Sequence, residues 1–178
     1  QHKKWVELAA ELGCESVRVN LSGTRDEKIW IDQSLVGLTG LCEFAKPMGI
    51  NVIVENHGGL SSNAGLLAQV MKQTNLDNCG TLPDFGNFCL ARGSKDGCKA
   101  RYDMSKGVAE LMPYAKSVSA KAYDFDKNGN ETKIDYAKMM QIVKNNNYKG
   151  YIGVEYEGSR LSEKEGILAT KNLIQKFI

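Results

Sequence analysis

The chain has little of what marks several protein classes. Its 178 residues include only two histidines and three prolines, and 23 Lys and Arg against 21 Asp and Glu leave a formal charge of +2. With no basic stretch concentrated on one face, the electrostatic footprint of a nucleic-acid binder is missing. No apolar run approaches the roughly 20 residues that span a bilayer, and the opening QHKKWVELAAELG is amphipathic, so no membrane role is expected. The five cysteines, Cys14, Cys42, Cys79, Cys89 and Cys98, are an odd number without CxxC spacing and mostly sit inside apolar patterns, so they read as free thiols. A zinc site or a catalytic cysteine would need spacings and paired histidines that are absent. What remains is an ordinary globular composition, 42% hydrophobic and 25% charged, enough for one core in a single domain over residues 1–178. The expected partner is a small molecule.

Apolar positions Trp5, Leu8, Ala9 and Leu12 recur at helical spacing, Gly13 stops the helix, and SVRVNL then reads as a short strand. The alternation repeats. Helices near 30–46, 62–74 and 104–114 lead to INVIVEN, CGTLPDF and SVSAKAY. A last pair, YAKMMQIVKN as helix and YIGVEYE as strand, precedes a terminal helix opened by Ser162 and Glu165 at capping-box spacing. Five strands alternating with six helices imply parallel βαβ units, in an open doubly wound sheet or a barrel. No GxGxxG follows the first strand, and polar residues gather at the C-terminal strand ends, where barrel enzymes place their sites. The expected fold class is therefore α/β, a parallel (β/α) TIM barrel incomplete in this chain. Eight strands and about 250 residues make a whole barrel, so about five of eight strands are expected here, with two sheet edges to be covered by something else.

Side chains alternate across a strand, so parity separates a helix-facing set from an axis-facing one. Val17, Val19, Val52, Val54, Val118, Ala120, Ile152 and Val154 form the apolar set. The other parity carries Arg18, Asn20, Glu55, Asp84, Ser119, Lys121 and Glu155, nearly all at or beyond strand ends. Three carboxylates meeting an Arg and a Lys on one rim need mutual pairing or a ligand. Either Lys121 and Arg18 neutralise Glu55, Asp84 and Glu155 in a static network, or a cation does. An oxygen set suits Mg²⁺ or Mn²⁺, and a contribution from His57 would bring in Mn²⁺, Co²⁺ or Zn²⁺.

The segments VIVENHGG, LPDFGNF, SVSAKAYDF and YIGVEYEG resemble, in order and spacing, the last four strands of the xylose isomerase-like sugar isomerase/epimerase family. The resemblance implies that Glu55, Asp84 and Glu155 ligate a divalent metal (Mn, Mg, Co or Zn) and that Glu55 and Glu155 double as acid and base. The reaction it implies is proton abstraction next to a carbonyl of a ketose or polyol derivative, with Lys121 as a third catalytic group aimed at substrate oxygens. Schiff-base chemistry at Lys121 is disfavoured, because flanking carboxylates hold a lysine protonated. Arg18, Asn20, His57, Asn87 and Ser119 are the expected substrate-binding set. Two positions depart from the pattern. Ser119 stands where an HxK-like histidine is usual, and Asn87 where the DNA-repair branch often has histidine.

Three readings compete. The first is a metal-dependent sugar isomerase or epimerase, the second a non-catalytic carbohydrate-binding module kept open by Ser119. The third, a DNA-repair endonuclease of the same superfamily, needs more histidines and a basic groove. The expected partner is a sugar, without nucleic acid or membrane, and a homo-oligomer is compatible. The expected localisation is cytoplasmic, since unpaired cysteines suit a reducing compartment, with the periplasm as alternative because any leader would lie before residue 1.

Two other segments invite a function. DFDKNGNETKID begins like a calcium loop, with Asp124, Asp126, Asn128 and Gly129, but has Glu131 and Asp135 at the eighth and twelfth positions and follows a strand. A tight Asn128-Gly129 turn with Asp135 as a helix cap is the expectation. ARGSKDGCKARYDMSKG is a long connection made basic by Arg92, Lys95, Lys99, Arg101 and Lys106, suited to an anionic substrate or, more simply, a solvated loop. His2, on a terminal helix, has no assigned role.

Overall fold

The computed structural model describes residues 1–93 and 97–178; Lys95 of the basic connection lies outside the described residues. Strands and helices alternate as the periodicity requires, except that two further strands follow the third before the next helix. The strands are β1 (Ser16–Val19), β2 (Asn51–Glu55), β3 (Cys79–Leu82), β4 (Cys89–Arg92), β5 (Cys98–Arg101), β6 (Val118–Ala122) and β7 (Ile152–Tyr156). The helices are α1 (His2–Glu11), α2 (Glu27–Ala45), α3 (Ala64–Thr74), α4 (Met104–Leu111), α5 (Tyr136–Asn145) and α6 (Glu163–Gln175).

Short polar side chains start most of the helices by accepting a backbone N–H that has no partner within the helix. Asp26 caps α2, Asn63 α3, Asp103 α4 and Asp135 α5, and Ser162 with Glu165 completes a reciprocal capping box on α6. Both caps expected from the sequence, Asp135 and Ser162, are among them.

β1, β2 and β3 pair in parallel, with Val17 opposite Val52 and Val19 opposite Val54. β6 and β7 pair in parallel with Lys121 opposite Glu155. The two sheets meet through bridges from Thr81 to Ala115 and from Asp84 to Ser119. Ser119 N–H donates to the Pro83 carbonyl at 2.9 Å, and Phe85 N–H to that of Ser119 at 3.1 Å. Pro83 has no N–H to give, so the ladder is reduced here to single bridges. The parallel strands thus lie in the order β1-β2-β3-β6-β7, and their C-terminal ends form one rim. Among the described residues no pairing joins β7 back to β1, so the sheet is open rather than a closed barrel.

The helix-facing parity makes the core. Val52, Val54, Val118 and Ala120 are fully buried against helix residues such as Leu38, Leu67, Val108 and Met139. Each valine, leucine or methionine among them contributes about 1.5–3 kcal/mol by leaving water. At the open edge α1 leaves Trp5, Leu8 and Leu12 exposed, and a groove of about 530 Å³ runs between α1 and β1.

One connection and one cysteine pair differ from the sequence reading. Part of the segment after β3 folds back as the antiparallel hairpin β4–β5, closed by a disulfide between Cys89 and Cys98 with Cα atoms 5.7 Å apart. All-free thiols is therefore corrected to three free cysteines, Cys14, Cys42 and Cys79. Periodicity could not signal the pair, since Cys89 lies inside the apolar run Phe88–Ala91 and Cys98 follows a polar stretch of sequence, and only the antiparallel pairing of β4 with β5 brings them together.

Candidate active site at the strand ends

The rim gathers the charged residues of the axis-facing parity. Glu55 ends β2, Asp84 lies two residues beyond β3, and Glu155 is the penultimate residue of β7. One oxygen from each lies within 4.8 Å of the others, and Glu55 and Asp84 are 1% and 0% exposed. Arg18 Nη1 pairs with Glu55 Oε2, while Glu55 Oε1 accepts from the Asn87 amide at 2.9 Å.

Lys121 sits at the centre, with its side chain 1% exposed. Its Nζ reaches Asn87 Oδ1 at 3.0 Å and Glu155 Oε1 and Glu157 Oε2 at 3.1 Å each, with Asp84 Oδ1 further off at 4.0 Å. Three N–H donors and three close acceptors leave the ammonium saturated. Burial alone would lower its pKa, but the charges of Asp84, Glu155 and Glu157 outweigh that and raise it. The same balance acts on Glu155, where burial is overcome by Lys121 and Ser119 and the pKa falls. Asp84 goes the other way. Its burial exceeds the help of Lys121, Ser119 and the Gly86 N–H and pushes the carboxyl up to about 7.

Ser119, which stands where the resembled family usually has histidine, lies between two carboxylates, with Oγ 2.7 Å from Asp84 Oδ2 and 2.9 Å from Glu155 Oε2. A hydroxyl has one hydrogen, so it can donate to only one of them. The other oxygen is left for a proton or a cation. Glu55, Asp84 and Glu155 thus supply hard oxygen donors, the chemistry of Mg²⁺ and Mn²⁺ sites, and the donor set fits such an ion.

Asn87, expected to bind substrate, instead bridges Glu55 and Lys121. Asn20 and His57 are exposed and stand outside this network; the backbone N–H of His57 donates to Ser61 Oγ at 3.0 Å. Sequence reasoning missed Asn56, which is fully buried and grips the Asp84 turn. Its Oδ1 accepts from Asp84 N at 2.8 Å and its Nδ2 donates to the carbonyls of Asp84 and Asn87. Parity assigned Asn56 to the helix face and gave no reason to consider it. Glu157 was missed although it shares the parity of Glu155. Gly86 matters for a steric reason: a Cβ there would lie 2.7 Å from the Tyr123 hydroxyl and 3.0 Å from Lys121 Cδ, so a larger residue would push one of these side chains aside.

The carboxylates of the calcium-like segment already have partners, Asp124 pairing with Arg160 at 2.7 Å. Asp126 Oδ1 accepts from the backbone N–H of Asn128 and Asn130, and Glu131 accepts from those of Tyr123, Asp124, Lys133 and Ile134. Of the basic connection, Arg101 on β5 extends Nη1 to within 3.4 Å of the Gly86 carbonyl, and Lys106 on α4 pairs with Glu110.

Comparisons with known proteins fit this architecture. A xylose isomerase-like TIM barrel protein of Mycobacterium smegmatis, solved in complex with magnesium, is 20% identical with a TM-score of 0.69, over 97% of this chain and 64% of its own. A D-allulose 3-epimerase of a Methylomonas species, solved in complex with D-allulose, is 14% identical with a TM-score of 0.75, over 99% of this chain and 67% of its own. The C-glycoside deglycosidase alpha subunit of Arthrobacter globiformis is 35% identical over 54 residues, 30% of this chain and 15% of that protein. The chain therefore spans about two thirds of the solved neighbours and a small part of the deglycosidase subunit. No helix among the described residues is long and apolar enough to cross a membrane. The profile of the xylose isomerase-like TIM barrel family matches residues 1–176, and the chain belongs to that family.

Proposed function

We propose that this chain forms the C-terminal five strand-helix units of a TIM barrel and carries the site of a metal-dependent sugar isomerase or epimerase. The observation that carries the reading is the convergence of Glu55, Asp84 and Glu155 within 4.8 Å on one rim of parallel strands. These three residues would hold the ion, and with no nitrogen donor in the set Mg²⁺ or Mn²⁺ suits it better than Zn²⁺ or Co²⁺. When bound, the ion would polarise the substrate's carbonyl and adjacent hydroxyl.

The chain's own residues supply the proton chemistry. One of Glu55 and Glu155 takes the proton from the carbon next to the carbonyl, and the other returns it. Lys121 stays ionised and held by its three acceptors, so it acts as a fixed positive charge near the oxygen on which negative charge develops. Its raised pKa removes it as a Schiff-base nucleophile. The substrate class is a ketose or polyol derivative, with Arg18, Asn20, His57 and Ser119 as candidate contacts. The Cys89–Cys98 disulfide favours the periplasmic over the cytoplasmic alternative, because disulfides persist in oxidising compartments.

The competing reading, a carbohydrate-binding module without catalysis, draws on Ser119 in place of histidine. Epimerisation of a panel of ketoses after dialysis against chelator, with and without added Mn²⁺ and in Glu155→Gln, separates the two. Turnover that needs metal and Glu155 supports the enzyme, whereas sugar affinity without turnover or metal dependence selects the module.

A further inference from the structure

We infer that Glu157 is a positioning residue for the metal site, offsetting the charge of Lys121 so that the ammonium does not repel the ion; the inference rests on the metal reading above. Lys121 Nζ is 3.1 Å from Glu155 and 4.0 Å from Asp84, two of the three candidate ligands. An ion held by Asp84 and Glu155 would therefore lie beside a buried ammonium, and like charges in a poorly solvated site repel strongly. Glu157 stands outside the ligand group, and among the described residues its side chain pairs only with Lys121, at 3.1 Å.

The charge count gives the pairing its meaning. When all are ionised, the carboxylates Glu55, Asp84, Glu155 and Glu157 against Arg18 and Lys121 leave −2, which one divalent cation neutralises. Without Glu157 the site would hold −1 and carry a net positive charge once loaded. Glu157 is half exposed, with its side chain at 51%, so it stays charged at little desolvation cost while neutralising a lysine that is itself out of contact with water. It also occupies one of the three N–H groups of Lys121, so Glu155 need not turn both oxygens toward the lysine.

Calorimetric titration of Mn²⁺ into the full chain at pH 8 tests this, with thermal melts in chelator to establish that each variant is folded. Glu157→Gln keeps shape and removes charge, and is expected to weaken Mn²⁺ binding on the order of tenfold or more. Glu157→Asp keeps the charge and is expected to bind nearly as the parent does. In Lys121→Met combined with Glu157→Gln the count returns to −2, and affinity is expected back within about threefold of the parent. If the parent binds no Mn²⁺, the metal reading fails and this inference with it. If the parent binds and Glu157→Gln binds equally well, only the inference is overturned. It is overturned too if the folded double variant remains as weak as Glu157→Gln; should the double variant not fold, the Gln and Asp variants decide the matter.

Discussion

Metal-free protein should lose stability as the pH rises toward neutrality, and the cause is Asp84. Burial lifts its carboxyl from the ordinary 3.8 to about 7. Between those values the folded chain holds a proton that the unfolded chain has released, so the free energy of unfolding falls with rising pH. At about 1.4 kcal/mol per pH unit, the full loss is on the order of 4 kcal/mol. Glu155 acts in a different window and with the opposite sign. Its lowered pKa gives stability that is present above the ordinary glutamate value and disappears as the pH falls through the lowered one. Urea unfolding midpoints at pH 5.5 and 8.5 in EDTA isolate the Asp84 contribution. The midpoint is expected to be lower at 8.5, and Asp84→Asn should flatten the difference. Saturating Mn²⁺ should remove it as well, because the ion takes the deprotonated carboxylate and stabilises the state that binds it. A midpoint in EDTA that is equal or higher at pH 8.5 would refute the reasoning.

Asn87→Ala leaves Lys121 Nζ and Glu55 Oε1 each one partner short, and is expected to destabilise the fold by about 1–3 kcal/mol in urea unfolding. Gly107→Ala would place a Cβ 2.2 Å from the fully buried Phe88 ring. Overpacking of about 1–3 kcal/mol outweighs the roughly 1 kcal/mol gained from helix propensity, so the melting temperature should drop. Under non-reducing conditions, peptide mapping should recover Cys89 and Cys98 cross-linked and Cys14, Cys42 and Cys79 alkylatable after denaturation. Removing the cross-link as Cys89→Ser with Cys98→Ser is expected to cost about 2–3 kcal/mol for so short a loop.

The parallel framework and most of the rim were legible because both rest on local periodicity. Val52 and Val54 share a face with each other and not with Glu55, so alternation alone separated core from site. That the strand ends share a rim followed from their being parallel, which the intervening helices require. Tertiary contacts were not legible. Cys89 and Cys98 meet only because β4 and β5 pair antiparallel, and no motif marks that pairing. Asn56 works through backbone groups of the Asp84 turn, so its role depends on a loop conformation that residue type does not encode. For Asn87 the position was found but its action was not, since the bridge from Glu55 to Lys121 exists only once β2, β3 and β6 lie side by side.

The central claim is that Glu55, Asp84 and Glu155 hold one divalent ion, and anomalous diffraction from crystals grown with Mn²⁺ tests it most directly. The expected result is a single strong peak within about 2.2 Å of an oxygen from each of the three carboxylates. A strong peak elsewhere, or none on this rim at a Mn²⁺ concentration that saturates binding in solution, would contradict the account.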